Sequence, residues 1–471
     1  MNNKIIKILM CITLALIICG NISASDFCIS DIHISGNNKT KEFIILRELP
    51  FRKGDVIQLN ELIQKVEIAK EHLDNTSLFN YVFIDYFPDT TATGFLDCVP
   101  VIVNIRVEER WYIWPQVSLK LEDRNLSNWL KERDWNRITI GWGTRIYNMF
   151  GIRHKITASH YFGYEKGGRI GYTNIALDRK NTKLLGFNAM ALYNRTLNTQ
   201  SHDNKVIYVK DIDDFIDKTV SGGLSYTYRP GIRATHTINA NYSWTHIGDT
   251  VLELNKDYWG TENTINNSLT ASYIFDYEHR DYFAYPTKGY FIGTEFVGVT
   301  ADKMRFFFVS LNIKLQYYKE ILPRLYWSSR LNATVSYKNK KAYLYDKFVG
   351  YEDKILVGYD YYVIDGQHNM ILNNDLRYNI MPKKIVNLSF INGLSNFKKI
   401  HFSLYAKLMY DFGYVYNSYV NPSNTLANTF LYGYGTGLDL VTYYDIVLNA
   451  SYAFNRMGEG GFFFGIKAPI F

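Results

Sequence analysis

The sequence predicts a mainly β fold, an antiparallel transmembrane β-barrel of about 16 strands preceded by one small α+β domain of order β-α-α-β-β. Three observations lead there. From Trp111 to Phe471 apolar and polar residues alternate with a period of two, residues 26–110 mix helical spacing with strand-like runs, and an export-type segment stands in front of both. Composition agrees with the first. Aromatic residues make up 16% of the 471 residues, yet mean hydropathy is slightly negative, so apolar side chains are interleaved with polar ones.

Residues 1–25 read as a signal peptide: Lys4 and Lys7 supply the charged start, Ile8 to Cys19 an apolar stretch broken only by Thr13, and "NISAS" a small-residue cleavage region near Ala24 or Ser25. The stretch is too short to span a bilayer as a helix. Ile18 before Cys19 and Phe27 before Cys28 stand where lipid attachment wants a small residue. Removing the segment takes the formal net charge from +7 to +5, too mild a balance over this length to argue for nucleic acid. Of the four cysteines it leaves Cys28 and Cys98, a disulfide candidate in an oxidising compartment; two buried free thiols are the alternative. No later apolar run reaches the roughly 18 residues of a membrane-spanning helix, which leaves the barrel route to a membrane open.

In residues 26–110, "CISDIHISGN" alternates and stops at a Gly-Asn turn. "KTKEFIILREL" and "LNELIQKVEIAKEHLDN" have helical spacing, and "NYVFIDYF" and "VPVIVNIRVEER" are strand-like. Leu62, Val66, Ala69 and Leu73 give the second helix one apolar face to lie on a three-stranded sheet. The stretch resembles a POTRA domain, the periplasmic module of the BamA/TamA superfamily of outer-membrane assembly and translocation proteins. The matching residues are Gly36, Asn37, Thr40, Arg47 and Glu48, then Gly54 and Asp55, then Leu73, Leu78, Phe79, Asn80 and Val82. Such a sheet has an unpaired strand edge to which an extended client can add.

Beyond Trp111 the alternation is regular. Leu311, Ile313, Leu315 and Tyr317 share one face opposite Asn312, Lys314 and Gln316, and Leu269, Ala271, Tyr273 and Phe275 lie opposite Ser268, Thr270 and Ser272. Ile238, Ala240, Tyr242 and Trp244 repeat the scheme, as do Ile446, Leu448, Ala450 and Tyr452. A soluble sandwich also has two such faces. The export segment, aromatics at strand ends ("IYNMF", "YTYRP", "LQYYK") and an apolar last strand ending at Phe471 favour a barrel with its apolar face outward. The 361 residues from 111 to 471 fit 16 strands at roughly 22 residues per strand and connection, and the choice of 16 rests on the family resemblance.

The motifs of that superfamily follow. "FDYEHRDYFAYPTKGYFIGTEF" resembles its strand-turn-strand signature through Arg280, Asp281, Pro286 and Gly289, and "LYAKLMYDFGYVYN" resembles the later Asp-x-Gly strand through Asp411 and Gly413. By alternation Leu404, Ala406, Leu408, Tyr410 and Phe412 face lipid, while Lys407 and Asp411 face a wet lumen. Between the two motifs lies "ILVGYDYYVIDG", residues 355–366, apolar and Gly-containing. The resemblance makes it an extracellular loop folded back into the lumen, with Val357, Gly358 and Tyr359 at the Arg-Gly-aromatic tip. Val357 stands where an arginine is expected to meet the acid of the Asp-x-Gly strand; either Lys354 or Lys407 replaces it at Asp411, or the loop is held by packing alone. Gly458, Gly460, Gly461 and Gly465, with Phe471 at the end, are expected to leave the junction of the first strand (about 113–121) and the last (about 462–471) weakly packed.

Enzyme chemistry finds no support. The sequence holds no Gly-x-Ser-x-Gly, no His-Glu-x-x-His, no phosphate loop and no Cys/His cluster at metal spacing, and His160 reads as a strand histidine facing water. No cofactor is expected. The resemblance implies a bacterial (Gram-negative) outer-membrane barrel, with the POTRA domain in the periplasm. It would assist insertion or translocation of unfolded β-barrel or secreted clients through strand pairing at the POTRA edge and the barrel seam. Its expected partners are outer-membrane lipids, those clients, periplasmic chaperones and accessory lipoproteins; the alternatives are a dedicated two-partner secretion translocator and a passive diffusion pore.

Overall fold

The structure, a computed structural model, describes residues 26–92, 98–121, 138–210, 214–351, 354–387 and 399–467, the side chains of residues 118, 120 and 121 excepted. The signal-peptide segment 1–25 and Phe471 lie outside the described residues. Two compact units meet between Glu109 and Arg110.

The first unit runs β1 (Phe27–Ser35), α1 (Glu42–Leu46), β2 (Val56–Ile57), α2 (Leu59–Asn75), β3 (Phe79–Pro88) and β4 (Val99–Glu109). Its sheet has four strands in the order β2-β1-β4-β3, one more than the three expected. The extra strand comes from the turn at Gly54, whose positive φ and N–H bond to the Ile29 carbonyl (2.8 Å) fold the chain back so that Val56 and Ile57 pair with Cys28 and Phe27. Helix α1 is shorter than the spacing of "KTKEFIILREL" suggests. Pro50 disfavours helical geometry at Leu49, and the chain leaves the helix through tighter bonds from Glu48 to Ile45 and from Leu49 to Leu46. Leu62, Ala69 and Leu73 of α2 are fully buried, as are Val101, Val103 and Ile105 of β4.

A disulfide joins Cys28 in β1 to Cys98 at the entry to β4, with Cα atoms 5.8 Å apart across a sequence separation of 70. Chain entropy sets the stabilisation from closing a loop of that length at up to about 4 kcal/mol. Replacing both cysteines with alanine is therefore expected to speed proteolysis of residues 26–109 in the intact protein. Unchanged resistance would show that the bridge adds nothing.

The second unit is built of β5 (Ile113–Leu121), β6 (Ile138–Met149), β7 (His154–Gly163), β8 (Glu165–Ala176), β9 (Lys183–Asn194), β10 (Thr196–His202), β11 (Lys205–Lys210), β12 (Asp217–Tyr228) and β13 (Ala234–Ile247). After α3 (Asp249–Leu254) come β14 (Ile265–Arg280), β15 (Gly289–Ala301), β16 (Phe306–Leu322), β17 (Leu325–Lys338), β18 (Lys347–Val349) and β19 (Ile364–Asp365). The chain ends with β20 (His368–Asn387), β21 (Lys399–Tyr416), β22 (Phe430–Thr442), β23 (Val447–Asn455) and β24 (Gly460–Lys467). Hairpin β10–β11 and the pair β18–β19 stand apart; the other strands form one 16-stranded antiparallel sheet whose order follows the chain from β5 to β24.

Alternation works as the sequence indicates. Ile238, Tyr242, Leu269, Tyr273, Leu311, Leu315, Tyr317 and Leu448 are exposed on the outer face. On β21, Leu408 and Tyr410 point outward while Ser403, Tyr405, Met409, Asp411 and Val415 are buried inside. Among the described residues no ladder joins β5 to β24. The sheet still curls far enough to bring its beginning to its far side: the Trp114 ring packs edge-on against Tyr444, in the turn between β22 and β23, at 4.7 Å between centroids. The Trp111 N–H donates to the Tyr444 hydroxyl at 3.1 Å. Among the described residues no helix is long and apolar enough to cross a membrane.

Connections are uneven. Among the described residues, the turns at the rim where β5 begins, here the near rim, are mostly tight, whereas residues 195–210, 214–216, 248–264, 339–351, 354–367 and 417–429 belong to long loops at the far rim. Strands that alternate cannot fill a barrel of this size on their own. What occupies its interior comes from loops and turns at both rims.

Candidate functional site

At the far rim, residues 339–351 and 354–367 turn inward between β17 and β20. Leu356 and Tyr359 are fully buried with Ile371, Val415 and Leu431 of the surrounding strands. Backbone meets backbone there. Gly358 has φ +82°, and a Cβ on it would stand 2.7 Å from the Phe454 carbonyl; one on Gly433 would stand 1.8 Å from the Val357 carbonyl oxygen. Gly413 lies under Leu356, its absent Cβ 3.3 Å from that side chain. The Tyr359 hydroxyl donates to the Tyr432 carbonyl at 3.1 Å and accepts the Arg456 N–H at 3.3 Å, so the tip is tied to β22 and to the turn after β23.

Asp411 lies directly beneath this tip and is fully buried, not bathed in lumen water. The alternation placed it inward correctly; the loop above it is what excludes solvent. Its carboxylate accepts the Val357 N–H at 3.1 Å, the Asn373 side-chain N–H at 2.5 Å and the Asn374 N–H at 3.2 Å. Val357 thus meets the acid through its backbone, and among the described residues Asp411 makes no ion pair. Lys407 is engaged elsewhere, with Asp439 on β22 at 3.0 Å, and the Lys354 ammonium sits over the Phe348 ring at 4.4 Å. The expected lysine replacement fails for Lys407 on geometry: four residues along one strand are about 13 Å.

Charged residues that the motifs did not single out fill the wall below. Asp375 on β20 accepts from Arg330 at 2.8 Å, Arg377 at 3.0 Å and the Ser328 hydroxyl at 3.1 Å. Nearer the rim, Arg110 makes two bonds to Asp445 (2.6 and 3.1 Å), which Tyr282 also meets. The signal available in the sequence was the alternation of β20, which sets Asn373, Asp375 and Arg377 on the inward face.

The strand-turn-strand motif forms the β14–β15 turn. Asp281 closes it, accepting the Tyr282 and Thr287 N–H groups at 2.8 and 2.9 Å, while Gly289 at φ +97° lets the two strands pair where a Cβ would stand 1.9 Å from the His279 carbonyl oxygen. Arg280 binds Glu278 (2.7 Å) and Gln316 (2.9 Å) over the Phe291 ring. The Pro286 carbonyl accepts from Arg377 at 3.1 Å.

At the sheet ends the glycines are less bare than expected. Absent Cβ atoms on Gly460 and Gly461 would lie 2.7 and 2.9 Å from the rings of Phe454 and Phe463, because flat aromatic side chains settle over neighbouring glycines. Gly465 alone of the three has nothing nearer than 3.8 Å, and Gly458 belongs to the turn before β24. Inside the barrel the Tyr361 ring lies 5.4 Å from Phe463, which joins the far-rim loop to the last strand. His160 lies against Trp142 and Phe162.

The far-rim loops lock to one another through buried polar groups. Lys347 binds Asn198 and lies over the rings of Tyr258 and Tyr343, while Asp365 binds Ser201 of hairpin β10–β11. Burial pushes the Asp365 carboxyl up to about 6 and the Lys347 ammonium down to about 8. A raised acid favours the folded loops below its unfolded pKa of about 4, and that contribution of about 3 kcal/mol is lost as pH rises through about 6. Proteolysis of these loops is expected to quicken between pH 4 and 6.5 in the wild type and to depend less on pH in Asp365→Asn, compared at matched protease activity; Asp346, whose carboxyl burial also raises, keeps part of the dependence.

Residues 27–110 match the POTRA family described as surface antigen variable number repeat. No curated protein matches the sequence significantly. Among solved structures, BamA from Haemophilus ducreyi lacking POTRA domains 1-3 is 13% identical with a TM-score of 0.50, over 94% of this chain and 85% of that one. CdiB from Escherichia coli is 10% identical with a TM-score of 0.51, over 94% of this chain and 76% of that one. At these identities the likeness is one of fold. Residues 27–110 thus form a POTRA domain, and the 16-stranded sheet that follows shares the barrel fold of BamA and CdiB.

Proposed function

We propose that this protein resides in the bacterial outer membrane, its POTRA domain in the periplasm, and assists insertion or translocation of other β-proteins without catalysing a reaction. The observation that carries this reading is the pair of sheet ends: among the described residues β5 and β24 share no ladder, whereas each pairs along its length with its inner neighbour. A strand at the end of a sheet can pair its backbone N–H and C=O groups with those of a client strand. A second such edge is β3 of the POTRA sheet, where Phe83 and Phe87 are exposed. Clients are extended β segments, and the outward aliphatic and aromatic face meets lipid.

A dedicated translocator is the second reading, supported by the equal likeness to CdiB in fold. A passive pore fits less well with an interior occupied at both rims. Depletion of the protein from its native cell, followed by quantitative profiling of outer-membrane proteins, separates these readings. A broad fall in barrel proteins supports general assembly. Loss of one exported or outer-membrane protein supports the translocator, and an unchanged profile overturns both.

A further inference from the structure

A tight turn between neighbouring barrel strands ordinarily ends in water. The turn between β14 and β15 does not. Ala284, Tyr285 and Pro286 are buried, and their partners stand three to six strands away in the sheet order: Arg377 on β20, Tyr405 on β21 and Asp439 on β22. In a rolled sheet of 16, strands three to six apart are separated by roughly a fifth to over a third of the circumference, so these contacts run through the interior as a chord and not along the wall.

The contacts are specific. The Arg377 guanidinium, 4% exposed, donates to the Pro286 carbonyl at 3.1 Å and lies 4.7 Å from the centre of the Tyr285 ring. The Tyr285 hydroxyl donates to Asp439 at 2.9 Å, and its ring packs on Tyr405 at 4.7 Å. Tyr282 reaches Asp445 in the β22–β23 turn. Asp281 closes the base of the turn through Thr287, so the segment enters the lumen as a formed knob and not as a loose strand. The far-rim tip at Val357 uses none of these residues.

We propose that residues 281–288 are a second lumen plug, seated on Arg377 and Asp439 at the near rim, so that passage of a solute or polypeptide requires this turn to leave its seat as well as the far-rim loop. The inference rests on the barrel and not on the identity of any client. It is tested by conductance of the full-length protein in planar bilayers, with heat-modifiable electrophoretic mobility as the check on folding. Four proteins are compared: the wild type, a deletion of residues 354–363, a replacement of residues 282–287 by Asn-Gly, and the two changes combined.

Each single change is expected to leave the channel nearly closed, and the combination to conduct at least about tenfold more than either, as an emptied lumen of this size would. If the replacement fails to fold, Tyr285→Ala in the loop-deleted background takes its place with the same expectation. The proposal is overturned if loop deletion alone conducts as well as the combination, or if the combination stays closed.

Discussion

Asp375→Ala is expected to lower the unfolding free energy of the barrel by about 3–5 kcal/mol, the cost of leaving buried charge without its partner. Asp375 is 5% exposed and takes bonds from two arginines. Arg377 is equally enclosed, and its remaining bonds, to Ser328 and the Pro286 carbonyl, carry no compensating charge. Arg330, a third exposed, can turn toward water. The loss should therefore fall mainly on Arg377. Removing both members of that pair in Asp375→Leu/Arg377→Met should cost less than removing the acid alone, because no buried cation is stranded. Urea unfolding in detergent, followed by heat-modifiable mobility, measures both; a loss under about 1 kcal/mol for Asp375→Ala would mean that water reaches the site.

How the charges are arranged was only partly legible in the sequence. Alternation named the inward residues of β21 and the bounds of β5 because side-chain direction in a strand is a local property. Partners across the lumen are not local. Asp439 and Tyr285 lie 154 residues apart, as do no two residues of a single hairpin here, and nothing in "RDYFAYPTKG" distinguishes a turn that ends in solvent from one that enters a barrel. The wet-lumen expectation for Asp411 failed for the same reason: direction follows from period, whereas solvent access depends on what else fills the space. The Val357 departure also looked more consequential than it is, since a backbone N–H is present at every residue but proline. The extra POTRA strand escaped notice because two residues carry no periodicity.

The far-rim tip depends on absent side chains more than on present ones, and Gly433→Ala should therefore have the largest effect on it. A methyl there would stand 1.8 Å from the Val357 carbonyl oxygen and 2.8 Å from its carbon, both backbone atoms that cannot rotate away. Overpacking of this kind costs about 1–3 kcal/mol where neighbours can shift, and more where they cannot. The tip is also pinned by Gly358 against Phe454 and by the Tyr359 hydroxyl bonds, so it cannot retreat by a fraction of an ångström without surrendering those contacts too. Displacement of the whole tip is the expected result, with the barrel itself intact. Chymotrypsin should then cut after Tyr359, which is fully buried in the wild type, while heat-modifiable mobility is retained. Gly465→Ala is the control. Its added methyl meets nothing closer than 3.8 Å, so the same glycine-to-alanine change should shift stability by no more than about 0.5 kcal/mol and leave Tyr359 protected. Protection of Tyr359 in Gly433→Ala would mean that the β22 backbone yields to the loop, and that the tip is held by its apolar neighbours and not by close approach.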